Sequence, residues 1–197
     1  MITVRRAKSS DAPSIGAVHV AAWRSAYPGI LPTEYLARLS PIRQAAHYER
    51  AILSGAPVFV AIASGQDAPD VGQRLVGFTT AGPARGGPAR GEPARGGPAR
   101  GDRLAEGEVE TLYVLDDFRD RGIGRRLLRA AAADLAHSGC RSAFLWVLRD
   151  NPSRWFYQRL GGKAVMESQV RVAGTMVPQT AFTWDPIEKL LSTSPAR

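Results

Sequence analysis

Seven segments of the chain are apolar or alternate between hydrophobic and polar residues, and they are rich in β-branched and aromatic side chains. This pattern is typical of β-strands. The segments are residues 2–6, 57–63, 74–81, 108–114, 142–148, 163–172 and 177–184. The pattern therefore predicts strands that are spread over most of the chain.

Between these strands, hydrophobic residues recur at the spacing of one helix face. The clearest case is 124–138, where leucines and alanines form one apolar stripe and Gly139 follows at the expected stop. Further helices are predicted near 11–26, 33–39, 41–53 and 152–160. The order of strands and helices predicts an α/β fold of mixed strand direction, with a strand–loop–helix unit at its centre.

A repeated segment interrupts this pattern. Residues 82–101 read GPARG GPARG EPARG GPARG. Proline in every unit prevents a continuous helix or a central strand, so we expect an exposed, mobile loop over 82–107. The arginines could bind anions, or the repeat could be an expansion tolerated at the surface. We expect one domain over 1–187 around this loop, followed by a polar tail over 188–197.

The composition is that of a globular protein with a net charge of +8, of which the four arginines and one glutamate of 82–101 supply +3. A single cysteine, Cys140, excludes an internal disulfide, and the three histidines lack metal-ligand spacing, so no metal site is expected. No apolar run approaches the roughly 18 residues of a membrane span, and no secretory signal is recognisable. We therefore expect a cytoplasmic protein without a membrane partner.

The sequence RDRGIG, Arg119 to Gly124, joins the strand 108–114 to the helix 124–138. The start of a helix exposes amides without intrahelical partners at the positive end of the dipole. Glycines 122 and 124 would let a ligand approach this backbone closely. The arrangement predicts a phosphate or pyrophosphate site. Three arginines would add charge-assisted contacts: Arg121, Arg125 and Arg126.

Four segments, in order along the chain, resemble GNAT acetyltransferases. They are AAWRSAYPGILPTEYL, EVETLYVLDDFRDRGIGRRLL, NPSRWFYQRLGG and VAGTMVPQTAFTWDP. The resemblance implies a mixed, mostly antiparallel central sheet of about seven strands, flanked by about four helices. It also implies an N-acetyltransferase that uses acetyl-CoA as co-substrate and acts on a small-molecule or peptide amine. A homodimer is compatible with it.

The resemblance implies positions for the cofactor along the central unit. Backbone groups of Leu112, Tyr113 and Val114 would pair with the pantetheine arm, and an amide there would face the thioester carbonyl. The pyrophosphate would be held by the loop and the first helical turn: Arg119, Arg121, Gly122, Ile123, Gly124, Arg125 and Arg126. Asn151 is a further candidate, although the family usually has one more residue between this asparagine and Tyr157.

Three residues are candidates for acid–base catalysis. The amine must be deprotonated before it attacks, and Glu108 aligns with the glutamate that acts as base in some GNAT enzymes. Glu110 lies two residues further on, hence on the same face unless a bulge intervenes. Tyr157 matches the tyrosine that protonates the CoA thiolate. Each of these side chains could instead face solvent or pack in the core.

Two other functions stay open beside catalysis. A GNAT-shaped protein that binds acyl-CoA without turnover would act as a sensor or partner protein. Nucleic-acid binding is less favoured, because the arginine repeats lack interleaved aromatic residues. Trp23 and Tyr27 either shape the acceptor pocket or belong to the core. The acceptor itself is not indicated by the sequence.

Overall fold

The structure is a computed structural model that describes residues 1–68, 72–84 and 104–192. The strands are β1 (Ile2–Arg6), β2 (Val58–Ser64), β3 (Gln73–Pro83), β4 (Gly107–Val114), β5 (Ala143–Leu148), β6 (Lys163–Val172) and β7 (Thr175–Trp184). The helices are α1 (Ala12–Ala26), α2 (Thr33–Arg38), α3 (Pro41–Leu53), α4 (Ile123–His137), α5 (Arg154–Arg159) and α6 (Glu188–Leu191). Every predicted strand and helix is present close to its predicted bounds.

The strands form one mixed sheet in the order β1-β2-β3-β4-β5-β7-β6. Neighbouring strands are antiparallel except β4 and β5, which are parallel. These two pair only at their starts, Gly107 with Ala143 and Glu108 with Phe144. Beyond that point β4 follows β3 and β5 follows β7, so a gap opens between them. The predicted mixed, mostly antiparallel sheet of seven strands is confirmed.

Helices cover both faces of the sheet. Ile15 of α1 and Tyr48 of α3 share a buried cluster with Val60 of β2. Leu127 of α4 shares another with Ala61, the next residue of the same strand. Successive side chains of a strand point to opposite faces. The α1 and α3 helices therefore lie on one face of the sheet, and α4 lies on the other.

The end of the chain differs from the predicted polar tail over 188–197. Residues Glu188–Leu191 form α6, and Leu190 is 2% exposed. This leucine joins the buried cluster of Leu135 and Trp184, because a short helix turns its apolar side toward α4. The fold thus includes Glu188–Leu191, a segment whose charged residues had led us to predict that it is exposed to solvent.

The predicted loop over 82–107 is shorter at both ends than expected. β3 continues to Pro83, β4 begins at Gly107, and Ala105 between them is buried. The backbone amide of Ala84 donates to the carbonyl oxygen of Glu106 at 2.8 Å, which closes the base of the segment. The exposure predicted for the repeats falls mostly on 85–103, outside the described residues. In the part of the chain that is described, no helix is long and apolar enough to cross a membrane.

Candidate active site

The predicted phosphate loop leads into α4 through a left-handed residue. Gly122 is the N-cap of α4 and has φ 71°. A Cβ added to it would meet nothing within 4 Å, so the space on the Cβ side of Gly122 is open. No side chain of the N-cap covers this end, and the first intrahelical bond runs from the amide of Arg126 to Gly122. The amides of Ile123 and Gly124 belong to this first turn, where the helix itself offers no backbone acceptor.

Gly124 also allows α5 to pack closely against α4, which the sequence did not indicate. A Cβ on this residue would lie 3.3 Å from Cζ of Phe156 in α5. That separation is tighter than an ordinary van der Waals contact, so the missing side chain lets α5 approach the first turn of α4. We expected a ligand to approach Gly124 closely. On the Cβ side of Gly124, that space is occupied by Phe156.

Two arginines of the loop are held by carboxylates. Arg119 forms an ion pair with Asp116 at 2.8 Å, and the Asp116 carboxylate also accepts a hydrogen bond from the Ser25 hydroxyl of α1. Arg121 lies 3.4 Å from Asp67, with its guanidinium 5.1 Å from the ring centre of Phe118. Their side chains are 45% and 51% exposed, so both cations remain accessible beside the helix start.

Arg125 and Arg126 occupy the first turn of α4, where Arg125 is half-buried and Arg126 is exposed. The structure thus gathers the predicted arginines around one helix terminus. Asp116 and Asp67 offset part of the charge of Arg119 and Arg121, and the remaining positive charge adds to that of the helix dipole and favours an anionic group at this end.

The strand that precedes this loop presents different residues to the two faces of the sheet. Leu112 packs with Leu128 and its neighbours on the α4 side. The ring of Tyr113 lies 5.2 Å from His19, on the α1 side. The backbone of Leu112, Tyr113 and Val114 borders the gap between β4 and β5, and these are the residues that the family resemblance pairs with the pantetheine arm.

A β-bulge at Glu110 interrupts the pairing of β3 with β4. Thr80 pairs with Thr111 and Ala81 pairs with Val109, so Glu110 is the additional residue. Its Oε2 accepts a hydrogen bond from the Thr80 hydroxyl at 3.3 Å. The bulge could not be read from the sequence, because it depends on how β3 pairs with β4.

Glu108 and Glu110 nevertheless share a face of the sheet. A Cβ added to Gly82, which pairs with Glu108, would lie 3.8 Å from Oε1 of Glu110. Val109 packs toward α4, so its neighbour Glu108 points to the α1 side. Glu108 is 4% exposed and Glu110 is half-buried. The two candidate bases therefore stand together where the gap begins, one inside the protein and one nearer its surface.

Tyr157 is buried on α5, across the sheet from α1. Its ring lies 6.0 Å from Phe182 and 6.2 Å from Trp184, and the residue is 7% exposed. Burial, and secondarily the nearby phenol of Tyr27, raises the pKa of Tyr157 well above its usual range. The hydroxyl is therefore protonated at neutral pH, and the raised pKa makes it a weaker acid than an exposed phenol.

Asn151 has a structural role at the start of α5. Its Oδ1 accepts a hydrogen bond from the amide of Ser153 at 2.9 Å, and the residue is 6% exposed. This contact fixes the turn between β5 and α5. Trp23 and Tyr27 are also buried, with ring centres 4.8 Å apart, so both belong to the core around α1.

A family model described as acetyltransferase (GNAT) family matches residues 22–162. The chain belongs to the GNAT family. This GNAT protein is 31% identical over 190 residues, 96% of both chains, to the uncharacterized N-acetyltransferase YuaI of Bacillus subtilis (strain 168). It is an N-acetyltransferase, with acetyl-CoA as co-substrate.

Solved structures share the fold of this GNAT enzyme at low sequence identity. The protein yncA of Salmonella typhimurium, solved with its cofactor acetyl-CoA, superposes with a TM-score of 0.61 at 18% identity, over 99% of this chain and 96% of that one. The ribosomal-protein-alanine N-acetyltransferase of Brucella melitensis gives 0.63 at 19% identity, over 93% and 99%.

The residues present in this GNAT enzyme fit acetyl-CoA. The open space at Gly122 and the uncapped start of α4 suit a pyrophosphate, and the gap between β4 and β5 suits an extended arm. Among the described residues, no group of three or more potential ligands could hold a metal ion.

The burial of His19 was not predicted from the sequence. Nδ1 of His19 lies 2.8 Å from the hydroxyl of Tyr48, and the imidazole stacks on Trp23 at 5.2 Å between ring centres. The available signal was the spacing of His19 and Trp23, four residues apart on the apolar side of α1.

Proposed function

We propose that this GNAT enzyme transfers the acetyl group of acetyl-CoA to a primary amine by direct attack. Glu108 acts as the base and Tyr157 as the acid. The observation that supports this proposal most strongly is the position of Glu108. It is buried and belongs to the last residue pair that joins β4 and β5 before the gap opens.

The amine must lose a proton before it attacks, because a protonated amine has no lone pair to donate. Glu108 lies on the α1 side of β4, away from the α4 helix that begins at the phosphate loop. An amine entering from the α1 side would therefore meet the carboxylate before the thioester. Glu110 is the alternative base, since it shares this face and contacts Thr80.

The departing thiolate needs a proton, and Tyr157 is the proposed donor. Its buried hydroxyl is protonated at neutral pH, and α5 packs against the first turn of α4 through Phe156 and Gly124. A donor on α5 is thereby fixed relative to the loop that holds the pyrophosphate.

Binding of acetyl-CoA is proposed to use backbone groups more than side chains. The amides at Gly122, Ile123 and Gly124 would hold the pyrophosphate, with the arginines of the loop and of the first turn neutralising its charge. Leu112 to Val114 would pair with the pantetheine arm, and Asn151 would contribute its Nδ2 group. Because acetyl-CoA is an intracellular metabolite, we propose a cytoplasmic location. The acceptor is proposed to be a small-molecule or peptide amine.

A thiol-release assay with a panel of polyamines, amino acids, aminoglycosides and peptides tests the proposal. Amine-dependent release of CoA, together with an N-acetylated product in mass spectrometry, is the expected result. Tight binding of acetyl-CoA without release by any amine would instead establish a protein that binds the cofactor as a sensor.

A further inference from the structure

We propose that Glu110 and the open side of Gly82 form a site that binds the acceptor as an ammonium ion, directly beside Glu108. The inference rests on the proposed transfer with Glu108 as the base, and it gives Glu110 the task of holding the charge. The acceptor is then an aliphatic amine, which is protonated at neutral pH.

Gly82 of β3 leaves space next to the Glu110 carboxylate. A Cβ added to Gly82 would lie 3.8 Å from Oε1 of Glu110, an ordinary contact distance. In the described part of the chain, no other residue except the neighbours of Gly82 in sequence comes within 4 Å of that position. An ammonium group is about as large as the methyl group that alanine would place there. Because Gly82 is buried, a cation in this space is partly shielded from water and attracted more strongly by the carboxylate.

The β-bulge orients this carboxylate. The hydroxyl of Thr80 donates to Oε2 of Glu110 at 3.3 Å, and it lies 2.9 Å from the hydroxyl of Thr111, its cross-strand partner. A hydroxyl that donates to a carboxylate favours the ionised form. The contact therefore supports a negative charge on Glu110, with Oε1 as the oxygen beside Gly82.

The same space adjoins the proposed base. Gly82 is the cross-strand partner of Glu108. Side chains of such a pair project from the same face of the sheet, with Cβ positions about 4.5–5.5 Å apart. Glu108 is 4% exposed and Glu110 is half-buried, so an acceptor that arrives from solvent reaches Glu110 first. A carboxylate that receives the cation thus lies next to one that takes its proton.

The chemistry of an ammonium ion fits this order of events. A primary ammonium has three N–H donors, and ionised carboxylates only accept. Glu110 binds the ion through a charge-assisted hydrogen bond, and Glu108 accepts one of its protons. The electron pair of that N–H bond stays on the nitrogen, which then attacks the thioester carbonyl. An arylamine is uncharged at neutral pH and gains nothing from the charge of Glu110.

Steady-state kinetics tests the site in the full chain, with the amine of the panel that gives the highest kcat/KM. Gly82→Ala is expected to raise the KM for this amine about 10-fold, the order found for losing a hydrogen bond to a charged group. The added methyl group occupies the place of the ammonium, so kcat should change much less. The Kd for acetyl-CoA and the thermal midpoint should match the wild type. A wild-type KM in Gly82→Ala would overturn the proposal.

Glu110→Gln removes the charge and keeps the shape of the side chain. Its KM for the same amine is expected to rise about 10-fold, with a much smaller change in kcat. This split distinguishes binding of the ammonium from its deprotonation. A fall in kcat at wild-type KM, restored by alkaline pH, would make Glu110 the base and overturn the proposal.

Thr80→Val removes the hydroxyl that holds Oε2 and is expected to raise the KM about fivefold, whereas Thr80→Ser keeps the wild-type KM. Thr79→Val is the matched control. The hydroxyl of Thr79 donates to the backbone carbonyl of Thr111 at 2.7 Å at the same bulge, and its side chain points to the opposite face of the sheet. Equal increases of KM in Thr79→Val and Thr80→Val would show that the bulge alone sets the affinity, which would overturn the proposal.

Failure of the wild type to release CoA with any amine would be a different result. It would contradict the proposed transfer itself, whereas the outcomes above concern the ammonium site alone.

Discussion

His19 and Tyr48 form a buried hydrogen-bonded pair that joins α1 to α3. Nδ1 of His19 lies 2.8 Å from the Tyr48 hydroxyl, and burial, aided by the nearby His47, lowers the pKa of His19 to about 4. The imidazole is therefore neutral at physiological pH, and folding would have to exclude its proton in acid.

This pair predicts a specific dependence of stability on pH. The unfolded state binds the proton near pH 6.5 and the folded state only near pH 4, so the contribution is complete above 6.5 and is lost as pH falls toward 4. Urea unfolding at about pH 7.5 and about pH 5 should show a pH effect about 2 kcal/mol smaller for His19→Gln than for wild type. His137→Gln, which alters an exposed histidine, should keep the wild-type difference. If His137→Gln reduces the pH effect on stability as much as His19→Gln does, His19 is not the group that causes this effect.

Gly122 tests the pyrophosphate position. Gly122→Asp should place a carboxylate in the open space before α4 and abolish measurable acetyl-CoA binding by repulsion. Gly122→Asn is the matched control, because asparagine has the same shape, no charge, and tolerates the left-handed backbone at φ 71°. Calorimetry should show much weaker binding for the aspartate than for the asparagine variant. Equal affinities would place the pyrophosphate elsewhere.

Glu108→Gln tests the base. Turnover should fall by about 10²–10⁴-fold at neutral pH, and raising the pH should partly restore it, because free amine becomes available without the base. Cofactor affinity should be unchanged. Glu110→Gln is the comparison, and the variant with the larger, pH-rescued loss identifies the base. Wild-type turnover in both variants would exclude both carboxylates.

Tyr157→Phe tests the acid. The ring and its packing against Phe182 and Trp184 are kept, and only the hydroxyl is removed. Turnover should fall by about 10²–10⁴-fold without rescue at high pH, since the defect lies in the leaving group. Thermal unfolding and acetyl-CoA affinity serve as controls and should match the wild type. Rescue by alkaline pH would assign Tyr157 to another step.

Much of the central unit could be predicted from local sequence. The strand before the phosphate loop and the helix after it each carry a strong periodic pattern, and Gly122 stands between them where a left-handed residue is needed. Such features depend on a few consecutive residues, so one sequence is enough to indicate them.

Features that depend on contacts between residues far apart in sequence could not be predicted from local sequence. The bulge at Glu110 arises from the register between β3 and β4, and the contact of Gly124 with Phe156 joins two helices that are far apart in sequence. The burial of His19 requires α3 and the assembled sheet, and the burial of Leu190 requires α4. Local chemistry alone made these two residues look incidental.

The hydrogen bond between Ala84 and Glu106 has an evolutionary consequence. It closes the β3–β4 connection at its base, so the pairing of the two strands extends into the first GPARG unit, whose Gly82 and Pro83 belong to β3. GPARG units gained or lost beyond this hydrogen bond change the length of the chain and leave the register of the sheet as it is. We therefore expect replication slippage in the coding repeat to be nearly neutral for folding, and the number of units to vary between descendants of the same gene.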